Sequence, residues 1–449
     1  MAQSRLIAAA IIITIAVVCS GNARTQADPV KNGGSIHSQY LAELAKFKAA
    51  GIPTSLSEIY PKQPPDDQNA FPIYIKIGDV RSFPSGNDEI LALAILNPGA
   101  TETDWKNAHA FLHANADLVA AVHEAASKPQ CVMPGRADTK NPSAALMSEM
   151  APIRRAARLL SIESQVLAYD GKSHEAIKNA GLGFHISDHA YQNPILLGML
   201  VGIASDAITI NSVESIMLLN RHQPNVVAEA GQMLESSRHS HTMIDALKGE
   251  AAFGISQMAF IRNSIHGPAD LDALAAGGEL PATLHLSKMT TAEWNDFVDS
   301  NNIQWMKYFR EIIADAADPY PTLSAKFAKI DAGMAAQHGN DVYLLQALAP
   351  SFNKVAVKEA QNDARAAIVQ ASAALYIWRA KHGKYPATLQ EATDQVPADP
   401  FDLKPIRYRR DGAGFVLYSV GDSGKYDGGA HTDFQVVLRV SGDGVANWK

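Results

Sequence analysis

The stretch from Leu375 to Gly429, LYIWRAKHGKYPATLQEATDQVPADPFDLKPIRYRRDGAGFVLYSVGDSGKYDGG, constrains the fold most, because its punctuation permits few chain paths. Just upstream, Ala360, Ala364, Ala367, Ile368, Ala371, Leu375 and Trp378 recur at spacings of three and four. That spacing predicts a helix from about Val355 to Lys381. It stops at His382-Gly383, since glycine closes a helix end in the left-handed conformation. Tyr385-Pro386 forces extended backbone, and Thr388 with Glu391 forms a capping box that opens a short second helix. Pro397 and Pro400 break the chain again. Pro405–Arg410 and Gly414–Val420 then predict two strands joined at Asp411-Gly412, with a last strand at Phe434–Val440. The expectation for 351–449 is an α+β domain with a long helix and a short antiparallel sheet.

Leu375-Tyr376, the His-Gly-Lys-Tyr-Pro run at 382–386, Asp399-Pro400-Phe401, Ile406-Arg407-Tyr408 and the Leu-Tyr-Ser-Val-Gly run at 417–421 recur in a recognisable order and with recognisable gaps. On these residues, roughly the last fifth of the chain resembles the globular domain of the type II secretion major pseudopilin. A pseudopilin starts with a basic leader, a Gly-Phe-Thr-Leu-x-Glu-like processing site and a polymerising helix. The N-terminus here has no such site, so a pilus subunit is not the expectation. The resemblance implies a structural calcium ion in the loop after the hairpin, with Asp422, Asp427 and Asp433 as its carboxylates. Ser423 stands where the family has a carboxylate. Calcium takes six to eight oxygens, which suits an Asp-Gly loop, and ordinary turn formation suits the same residues. The remainder resembles uncharacterised exported bacterial proteins that join an alanine-rich helical region to such a head.

At the other end, Arg5, the apolar run Leu6–Val18 and the small residues Ser20 to Ala23 have the layout of a secretory signal over 1–23. The expectation is export to the periplasm or outer envelope, with cleavage after Ala23 and no membrane span thereafter. The alternatives are an uncleaved anchor and a lipidated Cys19. Without the signal, Cys131 is the one cysteine left, which excludes an intrachain disulfide and predicts a buried, inert thiol.

Residues 35–350 predict a large alanine-rich helical bundle or array, with a proline-stiffened linker at 61–68. Helices are expected at Ser35–Ala50, Asp104–Ala126, Pro142–Tyr169, Ser173–Leu182, Asp188–Leu219, Val226–Leu247, Ala251–Ile261, Thr291–Ala317 and Thr322–His338. A capped turn at Ser55–Ile59 uses the same device as Thr388. Asn69–Ile77 suits a strand or a helix starting after Pro72. The most apolar segment, Pro194–Ile210, is too short for a bilayer and carries Asp206, so it predicts a buried central helix. A formal net charge of −7 with 19% charged residues offers nothing to attract nucleic acid.

Candidate chemistry in this part is confined to histidines. His109 and His113 share a helix face at i and i+4, as zinc ligands do, without the glutamate such motifs contain. His185 and His189 flank an expected helix boundary, and His239 and His241 lie beside Arg238. Neither a nucleophile elbow nor a phosphate loop is present. Arg154, Arg155, Arg158 and Glu163 form a charged stripe that predicts a solvated face with internal ion pairs, with an anion or peptide site as the alternative. The expectation is therefore a mainly α protein without enzymatic activity, binding a protein partner in the cell envelope or serving an assembly. Two alternatives stand beside it: a metal-dependent hydrolase built on His109 and His113, and an accessory component of a type II secretion-like system.

Overall fold

The computed structural model describes residues 35–79, 91–97, 99–136, 150–237, 243–264, 289–425, 435–442 and 444–448. Helices come first: α1 (Ile36–Ala49), α2 (Leu56–Ile59), α3 (Phe71–Asp79), α4 (Glu102–Ala114), α5 (Ala116–Ser127), α6 (Ala151–Tyr169), α7 (Ser173–Tyr191) and α8 (Leu196–Leu219). They continue as α9 (Pro224–Ser236), α10 (Met243–Ser264), α11 (Thr291–Asp315), α12 (Tyr320–Ala335), α13 (Tyr343–Leu348), α14 (Phe352–His382) and α15 (Leu389–Ala392). Four strands follow, β1 (Arg407–Asp411), β2 (Gly414–Tyr418), β3 (Val437–Val440) and β4 (Ala446–Trp448), in an antiparallel sheet ordered as they occur in the chain. The mainly helical class with a small C-terminal sheet is what the sequence predicts.

Several boundaries differ from expectation for identifiable reasons. The helix expected over Asp104–Ala126 breaks at Asn115, whose side chain donates to the Phe111 carbonyl at 2.7 Å and so competes for a helical acceptor. No boundary falls between His185 and His189; both lie within α7. The expected gap after Leu247 is also absent, and α10 runs through Gly249 and Gly254. These glycines mark close approach, not turns. A Cβ on Gly254 would sit 1.9 Å from the ring of Trp305, and one on Gly249 would meet the Pro194 carbonyl. Asn69–Ile77 resolves in favour of helix α3, begun by Phe71-Pro72.

In the C-terminal part, α14 closes as expected on Gly383 at φ 75°. Neither predicted capping box closes reciprocally. Glu391 accepts from the Ala387 amide at 3.2 Å, and Glu58 accepts from the Ser55 hydroxyl at 2.8 Å, without a return bond from the capping side chain to the helix amides. The hairpin turn is shifted by one residue, to Gly412-Ala413, with Gly412 at φ 59° as a two-residue loop requires. Strand β4 was not foreseen; its three residues follow a Ser-Gly-Asp-Gly run too short to register as a period.

Helix α8 is the spine. Its first half contributes Leu196, Met199 and Ile203 to a core formed with α10, α11, α12 and the start of α14. Its second half contributes Ile210, Val213, Ile216 and Met217 to a core that continues without interruption through α7, α9 and α14 into the sheet. A third core joins α3 to α7 around Tyr74, Trp105 and Leu160, with Leu197 and Val201 of α8 against it. Burying such aliphatic side chains is worth about 1.5–3 kcal/mol each, which holds α8 in place despite the polar groups it takes inside. Its apolar content would suffice to cross a bilayer by length and composition, and 61% of that window is buried in the protein.

Candidate functional site

The acidic loop leaves β2 through Gly421, whose φ of 66° turns the chain sharply. Asp422 is exposed, and its Oδ1 accepts a hydrogen bond from the Tyr320 hydroxyl of α12 at 2.6 Å. Burial, then this contact, pushes the Tyr320 hydroxyl well above the ordinary tyrosine range. Lys425 gives its carbonyl to Ser423 and Gln435. Among the described residues, Asp422 is thus the one carboxylate this turn offers a cation that needs six to eight oxygens. Asp427 and Asp433 lie outside the described residues.

Of the candidate histidines, His109 and His189 are engaged with other partners. His109 faces Asp170 at 3.1 Å, across from α4 to the end of α6, while His113, one turn on, is exposed. His123 meets Glu163 at 2.7 Å, and that hydrogen bond raises the imidazole pKa above its ordinary value. His189 is buried between the Tyr74 hydroxyl and the Lys128 carbonyl, each at 2.8 Å, and burial depresses its pKa to about 4. It is a neutral tether between α3, α5 and α7. Among the described residues, no three His, Cys, Asp or Glu side chains come together as metal ligands. Arg238, His239 and His241 lie outside the described residues, as do the signal segment and Cys19. Cys131 is buried, and burial pushes its thiol up to about 12, which makes it a poor nucleophile.

The structure divides the charged stripe of α6. Glu163 pairs with His123 and accepts from Asn179 at 2.9 Å, on a different face from Arg154 and Arg158. The internal ion pairs expected from sequence are therefore not made with Glu163.

A polar seam between α8 and α14 holds a buried carboxylate that sequence reasoning passed over. Glu214 lies fully buried among apolar neighbours. Ser372 and Tyr376, one turn apart on α14, put their hydroxyls 2.5 Å from its two oxygens. Burial dominates over both hydrogen bonds and pushes the Glu214 carboxyl up to about 8. Ser372 Oγ is also 2.9 Å from the Val369 carbonyl and has one proton to give. With Glu214 protonated, the acid proton goes to Ser372 Oγ, Ser372 donates onward to Val369, and Tyr376 donates to Oε1, so every group is satisfied. At neutral pH the arrangement is a neutral acid locking two helices. The only signal in the sequence is a glutamate in the buried phase of an apolar helix.

A small recess of about 10 Å³, room for about one water, lies against Tyr191, Asn193 and Asp245. No family model, no curated protein and no solved structure matches this chain.

Proposed function

We propose that this is an exported cell-envelope protein without enzymatic activity, which binds a protein partner or serves an assembly through a helical scaffold carrying a pseudopilin-like head. The observation that carries this reading is the course of α14. The helix leading into the head is packed along its length against α8, α9 and α12, and its Tyr376 meets Phe415 of the sheet edge-on at 5.8 Å. A helix so occupied is a mount for the head and is not free to polymerise. The same reading takes calcium as structural, joining Asp422 to Asp427 and Asp433, and leaves the histidines to the hydrogen bonds they make.

Affinity capture from envelope extracts tests the reading. One reproducible partner, lost when a competing excess of untagged protein is added, is expected. Repeated capture of nothing above the tag control would sink it.

A further inference from the structure

The sheet of the head ends in a strand with a free edge. Strand β1 stands first in the order and pairs with β2 alone. Its two-residue turn makes Asp411 and Gly414 a hydrogen-bonded pair, and such pairs alternate along an antiparallel ladder. Arg409 and Arg407 therefore bond inward, to Val416 and Tyr418, while Tyr408 and Arg410 aim their amides and carbonyls away from β2. The Ile406 amide fits the same phase, since it turns outward to the Pro397 carbonyl at 2.9 Å. Pro397 covers the edge at Ile406. Beyond it, among the described residues, no group bonds the main chain of Tyr408 or Arg410, and Arg409 and Arg410 are exposed.

This edge is cationic. Lys404 to Arg410 holds four cations in seven residues and no acid, in a chain of net charge −7. Arg407 is neutralised within the head, by Asp399 and Asp402. Arg409 stands 3.9 Å from Asp411, which Arg439 of β3 also approaches, at 3.6 Å. Among the described residues, Arg410 forms no ion pair. Unpaired backbone and unspent positive charge thus coincide at the end of β1. A free edge is a template for another strand, and the charges on it select which strand. Two β1 edges laid antiparallel would bring these arginines together, and like charges across a ladder repel. A second copy is disfavoured on that ground, whereas an acidic strand satisfies both the backbone and the charge.

We propose that the free edge of β1 takes up an extended, acidic segment of a protein partner as an added strand. The inference rests on the protein-binding reading above and specifies the partner's chemistry.

The probe is a labelled peptide with Val opposite Tyr408 and Glu opposite Arg409 and Arg410, titrated by fluorescence anisotropy against the purified full chain. Its counterpart carries Lys in place of Glu. The acidic peptide is expected to bind at least about tenfold more tightly, and Arg410→Glu should erase that preference with an unchanged thermal melt. Strand addition uses every second peptide amide. N-methylation of the amides that face β1 should therefore lower affinity about tenfold, and methylation of the alternate amides should leave it unchanged. Equal affinity for the acidic and basic peptides would overturn the proposal. So would an equal loss from both methylated peptides, or a dimer in sedimentation that Arg410→Pro disperses. A photo-crosslinker at position 410 during envelope capture separates the two readings. A partner joined there through an acidic strand supports both, and a partner captured but joined elsewhere removes the edge alone. Peptide binding in the expected phase without any envelope partner removes the envelope reading alone.

Discussion

Two carboxylates, one in the helical layers and one in the head, are equally hidden from water and are treated in opposite ways. Asp399 in the head accepts from the Phe401 amide at 3.1 Å, the Val420 amide at 2.9 Å, the Ser419 hydroxyl at 2.8 Å and the Arg407 guanidinium at 2.7 Å. Glu214 has two hydroxyls and no cation in hydrogen-bond contact. The difference follows from backbone accounting. Inside helices every amide is spent on the carbonyl four residues back, so a buried acid between α8 and α14 finds side chains alone. The loops around the hairpin have unspent amides, which surround Asp399 and tie Asp399-Pro400-Phe401 to the end of β2. Electrostatics fasten the head, and neutral hydrogen bonds fasten the helices.

The comparison breaks most visibly at Asp399. Asp399→Ala takes the acceptor from the Phe401 and Val420 amides and the Ser419 hydroxyl, while Arg407 keeps Asp402, and is expected to cost about 2–4 kcal/mol in urea unfolding; a loss below about 1 kcal/mol would show that the buried carboxylate is not what fastens the head. Tyr376→Phe leaves Glu214 Oε1 without its donor, for an expected loss of about 1–3 kcal/mol, while the head's fold is retained.

Glu214→Gln probes the neutral acid itself. Its folded pKa of about 8 lies above the unfolded value of 4.5, so the folded state holds the extra proton between these limits. That contribution is complete below pH 4.5 and is lost as pH rises through 8. Glu250 and Glu359, each raised to about 7 by burial, slope in the same direction. Glu214→Gln should keep stability at pH 7 within about 1 kcal/mol of the parent and flatten the decline from pH 6.5 to 8. An unchanged slope in urea unfolding across those pH values would count against a protonated Glu214. His189 works in the other sense: depressed to about 4, it contributes stability above pH 6.5 that is lost on acidification toward pH 4.

The smallest effect is expected at the acidic loop. Removing calcium with a chelator should lower the melting temperature by about 2 °C, and Asp427→Ala should erase that difference. Melting that ignores both calcium and chelator would leave Asp422 as the anchor for Tyr320 and nothing more.

Much of this architecture is legible in the residues themselves. Gly383 after a basic helical turn, the Pro-rich breaks at 397 and 400, and the alternation around Gly412 act over a few residues, so they announce α14 and the hairpin locally. Gly249 and Gly254 mislead for the opposite reason. Their role is to let Pro194 and Trp305 approach from distant parts of the chain, and local sequence scores them as breaks. The polar seam is invisible for the same cause. Glu214 becomes a neutral acid only because packing buries it where its hydrogen-bond partners, Ser372 and Tyr376, come from more than 150 residues away and bring no charge.

The sequence by itself determined the class of the fold, the length and ends of α14, the hairpin and the buried course of α8, because propensity, period and turn chemistry act within a few residues of chain. Tertiary structure alone decided which histidines meet carboxylates and which glutamate is kept neutral. Those outcomes depend on the dielectric and on partners set by packing between distant segments, and no spacing along the chain encodes either.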